Sequence, residues 1–103
     1  MPKFLYVFHG GKKPESPEEG EKVMAAWMAW YGNMGEAVVD GGNPVGMSKT
    51  VTASGVEDNG GANPASGYSL VSADTMDAAV EMAKGCPILD DGGSVEVAET
   101  FEM

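Results

Sequence analysis

The run Phe4-Leu5-Tyr6-Val7-Phe8 restricts this chain more than any other segment. Aromatic and β-branched residues in a run of this length make a strand. Side chains alternate along a strand, so Phe4, Tyr6 and Phe8 point to one face and Leu5 and Val7 to the other. Both faces are apolar, which places the strand inside a sheet with a layer on each side. The 103 residues suffice for one domain, residues 1–103, with a small core.

The remaining elements follow from local signals. His9-Gly10-Gly11-Lys12-Lys13-Pro14-Glu15 reads as a loop, with the lysine pair as solvated charge. Ser16-Pro17-Glu18-Glu19 starts a helix: Ser16 caps, Pro17 suits the first helical position, and Glu19 completes a capping box. That helix is predicted to run to about Met34, with Val23, Trp27, Trp30, Tyr31 and Met34 on one stripe and Gly35 as its stop. Residues 37–40 predict a second strand, 48–53 an alternating strand, 56–66 a turn-rich loop and 67–73 another strand. A second helix is predicted after Asp74 as N-cap, with Met76, Ala79, Val80 and Ala83 inward and Lys84-Gly85 as its end. Ile88 and Leu89 anchor the connector, 90–93 turns, and 94–98 is the last strand, with 99–103 as a possible extension.

The order is β-α-β-β-β-α-β. Without the extra hairpin strand this is the split β-α-β, ferredoxin-like plan, an α+β class with two helices on one sheet face. No third helix exists to cover the second face of the Phe4–Phe8 strand. A second copy of the chain, sheet against sheet, is the expected cover, so a homodimer is expected.

Sixteen acidic and six basic residues give a formal net charge of -10, and the chain has no Arg. Phosphate backbones and anionic membrane surfaces need clustered basic side chains, so nucleic acid and membrane are excluded as expected partners. One cysteine, Cys86, allows no intrachain disulfide and fits a reducing cytoplasm. The apolar run near the N-terminus is too short for a signal-peptide core or a membrane span. One His and scattered carboxylates give no ligand spacing, so no metal and no cofactor is expected.

Candidate chemistry centres on Val38-Val39-Asp40-Gly41-Gly42-Asn43-Pro44-Val45-Gly46. It sets a carboxylate, a carboxamide and three glycines at the end of an apolar strand. His9 is the one histidine of the chain, the residue type expected to change charge near neutral pH. Asp40 beside it would make His9 a general base, so His9 and Asp40 are the catalytic candidates. Asn43 and Ser48 are candidate ligand-binding groups, with Tyr31 as a wall. The competing reading makes the glycine segment a turn with Asp40 bonding its own backbone. It makes His9 a loop residue and the aromatic stripe core. Cys86 reads as a buried small hydrophobe.

Ala26-Trp27-Met28-Ala29-Trp30, Val39-Asp40-Gly41-Gly42, Gly67-Tyr68-Ser69, Ala83-Lys84-Gly85-Cys86-Pro87 and Gly93-Ser94-Val95-Glu96-Val97 resemble the YCII-related proteins, in the branch called DGPF-domain proteins. Their order and separation cover nearly the whole chain. The resemblance implies a dimeric α+β barrel with a cleft between sheets and helices. In some of those relatives a His–Asp pair is proposed as catalytic, the His on the first helix and the Asp after the second. This chain has Trp27, Trp30 and Tyr31 on the first helix and no Asp before Pro87, so that dyad is absent. The expected function is binding of a small organic molecule in a cleft, with cofactor-free proton transfer if the protein is an enzyme. The alternative is a non-catalytic accessory or interaction domain.

Overall fold

A computed structural model describes residues 2–11, 14–58, 61 and 63–102. Strand β1 (Lys3–His9) leads to α1 (Pro17–Met34), a 3-10 turn (Gly35–Ala37) and the short β2 (Val38–Asp40). A hairpin of β3 (Thr50–Thr52) and β4 (Gly55–Glu57) follows. Then come β5 (Ala65–Ser72), α2 (Met76–Ala83), a second 3-10 turn (Pro87–Asp91) and β6 (Ser94–Glu99). The fold is α+β. Its main sheet has the order β2-β5-β1-β6 with every neighbouring pair antiparallel, and β1 is internal, as its two apolar faces require. The sheet is open, with β2 and β6 at its edges.

Phe4, Tyr6 and Phe8 are buried against the helices, and each contributes about 2 kcal/mol through apolar burial. Tyr6 stacks on Trp30 with ring centroids 6.0 Å apart, and its hydroxyl donates to the Ala79 carbonyl of α2. Trp30 Nε1 donates to the Met82 carbonyl at 2.9 Å, so one side chain of α1 ties both helices together over the sheet. Leu5, Val7, Leu70 and Ala98 face away from the helices and are half-buried. The described residues place no layer over this second face, and the molecule measures 18 Å in its thinnest direction, the depth of one helix layer on one sheet.

Helix α1 starts as its sequence requires. Ser16 Oγ accepts from Glu19 N at 3.2 Å, while Glu19 Oε2 accepts from Glu15 N rather than from the cap residue itself. Gly35 ends the helix at φ +55°. Helix α2 is capped by Thr75, whose Oγ1 accepts from Ala78 N at 3.1 Å, and not by Asp74. Thr75 holds the extended backbone that a cap needs, one residue beyond the Asp. Ile88 is buried, but Leu89 is 43% exposed because the connector winds into a 3-10 turn that turns successive side chains apart.

The predicted loop over 56–66 overlaps the last two residues of β4, which pairs with β3 as a separate two-stranded sheet, and the first two of β5. The alternating 48–53 segment therefore joins its own hairpin and not the main sheet. Its cross-strand pair Val51 and Val56 is exposed. Lys12, Lys13, Asn59, Gly60 and the Met103 end of the predicted last strand lie outside the described residues. Among the described residues, no helix is long and apolar enough to cross a membrane, and no group of three or more His, Cys, Asp or Glu has the geometry to hold a metal ion.

Candidate functional site

Beyond β2 the chain does not leave the sheet. Residues 43–45 lie against β5: Tyr68 N donates to the Asn43 carbonyl at 3.3 Å, and Val45 N donates to the Ser66 carbonyl at 3.0 Å. Two glycines allow this approach. At Gly42, φ is +69°, and a Cβ there would stand 1.8 Å from the Tyr68 carbonyl oxygen. A Cβ at Gly67 would press on the Asn43 oxygen and the Phe8 ring, each at 3.3 Å. The glycine segment thus forms a ledge along the edge of the sheet.

Between this ledge and the Pro17–Tyr31 face of α1 lies a cavity of about 760 Å³. Phe8 and Gly67 belong to its sheet side, Trp27 and Tyr31 to its helix side, and Ile88 closes one end. Trp27 meets Phe8 edge-on at 5.0 Å and lies 6.0 Å from Tyr31. The aromatic stripe read from the sequence therefore divides. Trp30 is core, whereas Trp27 and Tyr31 wall the cavity.

Tyr31 sits where the cavity meets the seam between α1 and β5. Its hydroxyl is 2.6 Å from Ser69 Oγ, which itself donates to the Gly41 carbonyl at 2.8 Å. The Tyr31 hydroxyl also lies 3.3 Å from the Gly41 carbonyl, so both hydroxyls converge on that oxygen and either can donate in the bond they share. Burial pushes the Tyr31 hydroxyl above its ordinary pKa, the bond to Ser69 opposes that, and the nearby Cys86 adds to it.

The structure brings Tyr31 and Asn43 to the cavity, though the Asn43 carboxamide donates to the Tyr68 hydroxyl at 3.3 Å. Ser48 is half-buried on the loop toward β3 and is not among the lining residues. Asp40 accepts from Gly42 N at 2.8 Å, the bond that a turn-forming aspartate makes. His9 is not in a loop but ends β1, with register partners Ser94 and Ala65. Its Nε2 is 3.0 Å from Glu96 Oε1 and its Nδ1 is 3.2 Å from the Pro64 carbonyl.

His9 and Asp40 are not brought together. Asp40 pairs with Leu70, and Leu70 with Leu5. The register therefore sets Asp40 two strands across and four residues along from His9, on the order of 15 Å away. Proton relay between them needs contact at about 3 Å. The partner that His9 has is Glu96, which nothing in the sequence order singled out. Cys86 is 2% exposed, and burial pushes its thiol up to about 11, which leaves it protonated and unreactive.

Sequence reasoning missed Glu21, Ser66 and Gly67 as cavity residues. The available signal was Gly67 within a strand, which marks close backbone approach. No protein-family model and no curated protein matches this chain.

Proposed function

We propose that this protein binds a small, largely apolar organic molecule in the cavity between α1 and the residue 41–45 ledge. The cavity itself carries the reading. About 760 Å³ lies within the range of small-molecule sites, and the walls are aromatic and aliphatic with few polar groups, as such sites are. The separation of His9 from Asp40 favours binding over proton transfer by that pair. A cytoplasmic setting fits the single, buried, unreactive Cys86.

Thermal shift against a panel of apolar small molecules tests this. Hits should raise the melting temperature by mass action. Trp27→Leu should lose the shift, and His9→Gln, whose ring nitrogens contact Glu96 and Pro64, should keep it. No hits, or shifts indifferent to Trp27→Leu, would remove the cavity as the site.

The uncovered sheet face supports a second element of the reading, a homodimer packed sheet to sheet. Leu5, Val7, Leu70 and Ala98 are only half-buried in a single copy, and a second copy offers the same apolar surface. The strand order β2-β5-β1-β6 supports a ferredoxin-like plan, and two copies joined by these faces would give the dimeric α+β barrel that the YCII-related resemblance implies.

A further inference from the structure

Given a ligand cavity, the electrostatic character of its walls selects the ligand. Among the described residues, the one ionisable side chain of formal charge in the lining is Glu21, an exposed carboxylate on the first turns of α1. No described basic residue lines the cavity. Glu21 lies six residues before Trp27, about 9 Å along the helix axis and about 120° around it, at the flank of the lining. One end of the cavity is therefore anionic, and the other presents aromatic faces.

Several donors of the lining are already spent on the protein itself. Gly42 N bonds Asp40, Val45 N bonds the Ser66 carbonyl, and Gly20 N bonds the Ser16 carbonyl. Ser66 Oγ donates to the Phe8 carbonyl at 3.0 Å, and the Tyr31 hydroxyl is engaged by Ser69 Oγ and the Gly41 carbonyl. Pro17, at the start of α1, has no N–H to offer, and Glu18 and Glu19 share that first turn. The formal net charge of -10 adds a field that concentrates cations and repels anions.

We propose that the cavity takes a flat apolar molecule bearing a protonated amine, with the ring against Trp27 and Tyr31 and the ammonium at Glu21. Aromatic faces and a carboxylate both attract an ammonium. This rests on the cavity being a ligand site, and the test separates the two.

Three probes of one shape serve: 2-naphthylmethylamine as the cation, 2-naphthylmethanol as the neutral form and 2-naphthoate as the anion. Binding is followed by tryptophan fluorescence and by calorimetry at low salt. The amine should bind about tenfold more tightly than the alcohol, with the carboxylate weakest. Glu21→Gln should bring amine and alcohol level and leave alcohol binding unchanged. High salt should shrink the preference. If the alcohol binds but the amine is no better, or Glu21→Gln leaves the preference intact, the charge selectivity is wrong and the cavity reading stands. If no probe binds and the apolar panel also gives no hit, the cavity reading falls and the selectivity with it.

Discussion

Tyr31 and Ser69 share a 2.6 Å hydrogen bond that locks the last turn of α1 to β5, and through Ser69 to the Gly41 carbonyl at the start of the ledge. The bond joins the helix wall of the cavity to its opposite wall. Tyr31→Phe keeps the ring against Trp27 and removes only the hydroxyl. Ser69 retains Gly41 as acceptor. Urea unfolding should show a loss of about 1 kcal/mol, the usual worth of one such bond. A larger loss would mean that the ledge itself detaches.

Gly42 is the tightest position in the ledge. Alanine there adds a Cβ 1.8 Å from the Tyr68 carbonyl oxygen and places a non-glycine residue at φ +69°. The ledge must move away from β5, breaking the Tyr68–Asn43 and Val45–Ser66 bonds. Gly42→Ala should cost more than about 2 kcal/mol and abolish ligand shifts. Gly41→Ala, where nothing lies within 4 Å of an added Cβ, is the control and should cost far less.

These positions also show what the sequence made legible. The two-faced β1, the Ser16 cap and the Gly35 stop were readable because local chemistry alone decides them. The division of Trp27 from Trp30 was not, since helical spacing puts both on one stripe and only tertiary packing separates wall from core. Asp40 and His9 looked like partners because each ends a strand. The ferredoxin-like plan read from the element order already sets those strands apart, and the sheet order does separate them by β5. The β3–β4 hairpin was obscured because turn residues from Asp58 onward dominated the segment that holds Val56 and Glu57 of β4.

Alkaline pH should destabilise the fold through two buried protons. Burial raises the Tyr6 hydroxyl from 10.0 to about 12 and the Cys86 thiol from 9.0 to about 11, and Cys86 adds to the shift of Tyr6. Both groups are neutral when protonated, and the native state holds those protons more tightly than the unfolded chain. Their contribution is full below about pH 9 and declines as pH rises through 9–12. Urea midpoints measured from pH 8 upward should fall across that window. Tyr6→Phe should flatten the fall between pH 10 and 12 and leave the lower part, which belongs to Cys86. An unchanged slope in Tyr6→Phe would assign the alkaline limb elsewhere.

The open sheet face gives the last prediction. Leu5 lies between Leu70 and Ala98 in the register, at the centre of the apolar patch. In a face-to-face dimer it would be buried against its symmetry equivalent, and a glutamate there would set two carboxylates against each other in a dry interface. In a monomer the same side chain would point into water at little cost. Sedimentation equilibrium should therefore give a dimer for the wild type at micromolar concentration and a monomer for Leu5→Glu. Circular dichroism should match between them, because Phe4, Tyr6 and Phe8 on the helix side are untouched. A wild type that sediments as a monomer would refute the dimer. A Leu5→Glu variant that still dimerises would move the interface from the sheet to the exposed Val51–Val56 hairpin.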